Sequence, residues 1–246
     1  MKSLKFICNE PAALYKKTLI VADLHLGVER SMFGAIQMDF FEKTKEKLLR
    51  IMDETNCDEV VIVGDLKHDI PGMPYFERKK LKGFVDELKK RVNVVIVMGN
   101  HDGGVRKIAE GVEVHGAAGV MRDSVSFTHG HAWPSERMMK ADWLVVAHNH
   151  PCIEFVDKLG YRRVEKVWVV GEIDERKVEK KFKEFNRKMK FVVMPAFSEL
   201  VGGMVFNSAN RKLLGPMFRN EMFKLDEAEI TLLSGVKLGK LKEVEE

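Results

Sequence analysis

Three apolar runs that each break off in a cluster of metal-ligand side chains constrain this chain more than any other feature. TLIVAD (residues 18–23), EVVIVGD (59–65) and NVVIVMGNHD (93–102) are rich in β-branched residues and close on Asp, Asn or His. Continuous apolar runs of this kind suit strands buried on both faces of a sheet. Between them lie amphipathic stretches over residues 38–54 and 75–90. Phe41, Leu48, Leu49 and Met52 mark one apolar face; Phe76, Leu81, Phe84, Val85 and Leu88 mark the other. Strand–helix–strand units joined this way favour a parallel sheet with right-handed crossovers.

From about residue 113 the pattern changes. Shorter strand-like runs follow one another: SVSFTH, WLVVAH, CIEFV, RRVEKVWVVG, KFVVMPA, GMVFN and EITLLSG. Only two helical patterns interrupt them, over residues 134–140 and 174–188, so this half reads as antiparallel or mixed. The fold class expected is therefore α/β, with two mixed β-sheets packed face to face and flanked by helices. No Pro/Gly/Ser linker, repeat or low-complexity run divides residues 1–246, which read as a single domain.

Six of the eight histidines fall just after an apolar run, in segments that also supply Asp and Asn. The segments are Asp23-Leu24-His25, Gly64-Asp65, Gly99-Asn100-His101-Asp102, His129-Gly130-His131 and His148-Asn149-His150. Strand C-terminal ends are where open α/β sheets gather their sites. Residues i and i+2 of a strand point to one side, so Asp23/His25 and His148/His150 can each aim two ligands at one centre, provided the strand persists to its tip. Carboxylate, imidazole and amide donors together suit Mn²⁺, Fe or Zn²⁺ better than Mg²⁺ or Ca²⁺ alone.

These motifs, in this order, resemble the calcineurin-like metallophosphoesterase superfamily. DLHLG, GDLKH, GNHD, HNHP and the later VMPAFSELVGG are similar to the archaeal phosphoesterases related to SbcD, and to the bacterial DNA-ligase-associated phosphoesterases. The resemblance implies two divalent metal ions, Mn²⁺ first. One would sit on Asp23, His25 and His150, the other on Asn100, His129 and His148, with Asp65 bridging them. It implies His101 as the catalytic histidine, with Asp102 to orient it. His68 stands where SbcD-like nucleases carry a histidine, and is expected to bind substrate or to make a structural hydrogen bond. His131 is expected to reach substrate or to lie at the rim. One departure is Ala147, where the last motif usually has glycine; a left-handed backbone there would cost stability. Another is that the DNA-capping domain of SbcD-type nucleases is not expected here.

The substrate is less constrained. Lysine and arginine number 41 against 37 acidic residues, a net charge of +4 that permits nucleic acid without requiring it. The basic stretch over residues 175–190 reads as a helix. With Arg162, Arg163 and Lys166 it offers either a phosphate-contacting surface or an ordinary solvated face. Phe182, Phe185 and Met189 within it read as a core stripe rather than a base-stacking platform, and Trp133 near the histidines as a packing residue, with stacking on a base as the alternative. Cys8, Cys57 and Cys152 form no disulfide framework and Cys152 reads as a small buried residue. No run is long enough for a membrane span or a signal-peptide core, so a cytoplasmic protein is expected. The leading expectation is a phosphodiesterase acting on nucleic acid, such as a single-stranded DNA nuclease in repair. The alternatives are a small phosphodiester or phosphomonoester as substrate, and a non-catalytic metal-binding scaffold. A homodimer is compatible with the sequence.

Overall fold

The computed structural model describes residues 4–33, 40–69 and 75–244. Strands β1 (Lys5–Phe6) and β2 (Ala12–Tyr15) run antiparallel into the first apolar run, β3 (Thr18–Val21). Past helices α1 (Val28–Phe33) and α2 (Phe40–Thr55), β4 (Glu59–Val63) lies parallel to β3. Helix α3 (Tyr75–Arg91) then leads to β5 (Asn93–Val97), and β6 (Glu113–His115) closes a six-stranded sheet in the order β1-β2-β3-β4-β5-β6. The expected start of α2 at residue 38 lies outside the described residues.

The second sheet has eight strands: β7 (Val120–Arg122), β8 (Val125–Thr128), β9 (Trp143–Val146), β10 (Cys152–Val156), β11 (Arg162–Glu172), β12 (Lys190–Val193), β13 (Glu229–Leu232) and β14 (Lys237–Lys240). Its order is β14-β13-β11-β12-β9-β8-β7, with β10 paired to the outer part of β11. β8, β9 and β12 are parallel neighbours and the other pairs are antiparallel, so the sheet is mixed as the sequence suggests.

Alternation along the strands explains the unbroken apolar runs. Ile20, Val61, Val63, Val95 and Val97 face inward and meet Val125, Phe127, Val145, Trp168 and Val192 from the second sheet. Their neighbours Leu19, Val21, Val60, Ile62, Val94 and Ile96 face outward onto Leu48, Ile51, Leu81, Phe84 and Leu88 of α2 and α3. Both faces of the central strands are thus covered, at roughly 1.5–3 kcal/mol for each fully buried large side chain. Trp168, 1% exposed, is the largest inter-sheet anchor, and its ring stacks on Phe6 at 4.2 Å.

Two expected elements are corrected. The basic segment is helical only as α4 (Glu175–Val178), after which the chain runs in turns. Tertiary anchors override helix propensity there. Glu136 accepts the N–H groups of Lys183 and Glu184, and the Asn186 side chain donates to the Ala141 carbonyl and to Asp142. Phe182 and Met189 are nevertheless buried, with Phe185 partly buried against the same core. GMVFN is not a strand. It lies along the start of β10 through one bridge, Cys152 to Val205, with Met204 accepting the Cys152 N–H and Phe206 donating to the Cys152 carbonyl. The Met204 N–H donates to the carbonyl of Asn149 in the site described next. The pattern over residues 134–140 is a 3₁₀ turn, Glu136–Lys140, and the short α5 (Pro216–Arg219) lies near the end.

Candidate metal centre

The strand tips of both sheets converge. β3 and β4 end before Asp23 and Asp65, and β8 and β9 end before His129 and His148. The strand conformation does not persist to the tips, which corrects the simple i, i+2 expectation. Asp23, His25, Asp65, His148 and His150 all have left-handed backbones, with φ of 53°, 45°, 47°, 73° and 44°. Such a conformation is costly for non-glycine residues and collects at functional sites. Ala147 is absent from the left-handed residues, so alanine is tolerated in place of glycine.

Two clusters of ligand atoms that include a carboxylate result, Asp23, His25 and His150, and Asp65, His129 and His148, while a third, all-imidazole group joins His25 to His68 and His101. Asp23 is fully buried. Its Oδ1 lies 2.9 Å from His129 Nε2 and 3.5 Å from His150 Nε2, and its Oδ2 accepts the His148 N–H at 3.2 Å. Asp65 Oδ2 faces both clusters, 3.6 Å from His25 Nε2 and 3.5 Å from His129 Nε2, while Oδ1 accepts the His101 N–H at 2.9 Å. Gly64, beside Asp65, permits this approach, since a Cβ there would lie 2.2 Å from the His129 ring.

The residues fit metal ions on their own evidence. Among the described residues His25 Nε2 is buried without a hydrogen-bond partner, an arrangement that costs about 1–3 kcal/mol unless something binds it. Burial pushes His25 and His148 down to about 3, which leaves their lone pairs free at neutral pH. Burial also pushes Asp65 up to about 6. Asp23 resists burial: the imidazoles of His150 and His129 hold its carboxyl far below the usual carboxylate range. Burial opposes the charged forms of His129 and His150 as well, but Asp23 raises both. Carboxylates and imidazoles so placed form a donor set that could hold a divalent metal.

The remaining expected residues divide. His101 joins the site: its Nε2 lies 3.9 Å from Asp65 Oδ2, and its Nδ1 meets the His68 carbonyl. Asp102 does not orient His101, which corrects that expectation. Its buried carboxylate accepts the backbone N–H groups of Gly99 at 2.8 Å and Lys67 at 3.4 Å, so it shapes the loop. Asn100 is exposed on that loop beside His101. His68 packs against His25, with 3.3 Å between their Nδ1 atoms, and His131 packs against His129, with 2.9 Å between theirs. His115 pairs with Glu113 away from the site.

Three residues escaped the sequence reading. Lys67 is 2% exposed, and its amine donates to the carbonyls of Asp69 and His101, tying together two site loops. Asn149 is 1% exposed; its amide donates to the Leu214 carbonyl at 3.1 Å and accepts the Leu214 N–H at 2.7 Å. Gly202 accepts the Nδ1–H of His150 at 2.8 Å. The available signal was position alone, since each lies inside a motif already noted. Lys166 is not a surface phosphate contact: its amine donates to the carbonyls of Ala196 and Ser198, and burial pushes it down to about 8. Cys152 is buried, as expected.

A cleft of about 650 Å³ adjoins His25, walled by Phe41, Phe197, Lys43, Lys47 and Arg50. No helix among the described residues is long and apolar enough to cross a membrane.

Comparison with known proteins agrees with this architecture. A family model described as calcineurin-like phosphoesterase matches residues 16–194. No curated protein matches in sequence. The crystal structure of the Pseudomonas putida nuclease MPE superposes with a TM-score of 0.60 over 95% of this chain and 93% of that one, at 19% identity, a likeness of fold. Yfce, a phosphoesterase from E. coli, is similar at 20% identity over 55% of this chain and 71% of its own, with a TM-score of 0.38. With the matched model spanning well over half its length, the chain belongs to the calcineurin-like phosphoesterases and is a metal-dependent hydrolase.

Proposed function

We propose that the protein is a two-metal phosphodiesterase acting on nucleic acid, with single-stranded DNA as its substrate and Mn²⁺ as its metal. The observation that carries the two-metal reading is Asp65, whose Oδ2 lies within 3.6 Å of a histidine nitrogen from each cluster. Asp23, His25 and His150 would hold one ion, and His129 and His148, with Asn100, the other. Asp65 would be shared. Bound there, the two ions supply Lewis acidity toward a phosphoryl oxygen and lower the pKa of water between them.

The chain's own residues do the rest. The His68 carbonyl can only accept, so His101 keeps its Nδ1 proton, and Nε2 is the nitrogen that gains or gives one. Nε2 faces the centre beside Asp65, placed to protonate a leaving oxygen. Lys67 holds the His101 carbonyl and so limits drift of that ring. The inter-sheet layer shared by both sheets supports treating residues 1–246 as one domain.

A second reading, a small phosphoester as substrate, is favoured by ion pairs that occupy two cations of the basic segment. Lys177 pairs with Glu221, and Arg187 with Glu175 and Glu179, so these cations are occupied within the protein. End-labelled single-stranded DNA at low salt with Mn²⁺ separates the two, with Asp65→Asn as control. Cutting by the wild type alone supports the nuclease. Intact DNA alongside hydrolysis of a model diester or monoester in the same buffer supports the small substrate. No turnover of any phosphoester overturns both.

A further inference from the structure

His131 and His68 occupy positions from which a substrate contact is the natural expectation, yet both spend their Nδ1 atoms inward. His129 and His131 approach Nδ1 to Nδ1 at 2.9 Å, their rings 5.1 Å apart and tilted by 55°. Gly130 between them is left-handed (φ 104°), the turn that brings side chains i and i+2 together. On the other side of the centre, His25 and His68 repeat the arrangement at 3.3 Å.

Two facing imidazole nitrogens must differ. Two bare lone pairs repel, and two N–H groups clash, so one nitrogen of each pair donates and the other accepts. The opposite edges decide which. His129 Nε2 points between Asp23 Oδ1 and Asp65 Oδ2, and His25 Nε2 is the buried atom without a partner. A metal ion binds a bare nitrogen, so ligation at Nε2 leaves the proton on Nδ1. That proton must then be accepted by His131 or His68, whose own proton moves to Nε2. Histidine ligands ordinarily donate their second N–H to a carboxylate, a carbonyl or water, as His150 does to Gly202.

We propose that His131 and His68 are positioning residues, each accepting the Nδ1–H of a ligand histidine and thereby committing His129 and His25 to bind metal through Nε2. The inference rests on the two-metal reading above, but its tests need no substrate. Asparagine places an acceptor near the position of Nδ1, whereas alanine removes it. His131→Ala should weaken Zn²⁺ binding by about 10- to 100-fold in calorimetric titration, with His131→Asn within about threefold of wild type. Unchanged Zn²⁺ affinity in His131→Ala would overturn the proposal.

The second test uses wild-type protein and so does not depend on a variant folding. ¹⁵N-histidine NMR of the Zn²⁺-loaded protein should find His129 and His25 protonated at Nδ1, and His131 and His68 at Nε2. The reverse tautomers would overturn the proposal. Normal Zn²⁺ binding with the expected tautomers but no phosphoester turnover would count against the proposed function alone.

Discussion

The chain contains two H-x-H turns, at the ends of the neighbouring parallel strands β8 and β9, and they do opposite things. In His129-Gly130-His131 a glycine lets the two rings meet, and only His129 faces the clusters. In His148-Asn149-His150 the middle residue is clamped to Leu214, and the two rings part: His148 joins Asp65 and His129, and His150 joins Asp23 and His25. The same spacing therefore yields one backed ligand in the first turn and one ligand for each cluster in the second. The middle residue decides the outcome, through backbone freedom in one case and a bidentate amide in the other.

Both turns depend on Asp65 to join their clusters, so the largest effect is expected there. Asp65→Asn should reduce turnover by about 10³-fold or more and weaken both ions, since several kcal/mol of charge stabilisation depends on the metals it holds. Steady-state rates with a generic phosphodiester check this, and near-wild-type activity would refute the shared role. Next is His101→Ala, which touches neither turn. It should slow turnover by about 10²–10⁴-fold while leaving Zn²⁺ affinity unchanged; a rate within threefold of wild type would remove it as the acid.

Asn149→Ala acts on the second turn alone. Loss of the clamp leaves the Leu214 N–H and carbonyl without partners, at a cost of about 1–3 kcal/mol in chemical denaturation. Because His148 and His150 serve different clusters, the affinity of both ions should fall. His131→Ala should weaken mainly the ion on His129. Equal effects from the two variants would erase the distinction between the turns.

How far the sequence revealed all this depends on the range of the interactions. Strands β3, β4 and β5 and the two long helices beside the first sheet announce themselves through local periodicity, whereas β1, β2 and β6 do not, and Phe41, Leu48, Leu81 and Phe84 are buried where that pattern puts them. The ligand types were also local, since Asp23, His25, Asp65, His129, His148 and His150 stand directly after apolar runs. What escaped was set by distant partners. Residues 179–189 carry a helical apolar pattern, but Glu136, Ala141 and Asp142 capture their polar groups. Asp102 sits next to His101 in sequence, yet finds the N–H groups of Gly99 and Lys67 instead.

The smallest effect concerns pH in the metal-free protein. Burial pushes His25 and His148 down to about 3 and His131 down to about 4. Below about pH 6.5 the unfolded chain takes up protons that these three refuse when folded, so stability falls as pH falls toward 4. Asp65, pushed up to about 6, and Asp102, also raised by burial, act in the opposite sense, but the three imidazoles outnumber them. Each proton of difference is worth about 1.4 kcal/mol per pH unit. Above pH 6.5, His129 and His150 hold protons that the unfolded chain releases, so stability falls again as pH rises through their folded values. Denaturation midpoints in chelator should therefore peak near pH 6.5. Saturating metal should steepen the acid side and remove the alkaline fall, because His129 and His150 then hold no proton in the folded state.

Electron paramagnetic resonance of a Mn²⁺ titration reads directly whether a pair of ions is joined through Asp65. Two equivalents in the wild type should give the spectrum of an exchange-coupled pair, and Asp65→Asn should abolish that coupling. An uncoupled mononuclear signal from the wild type at saturating Mn²⁺ would contradict the account.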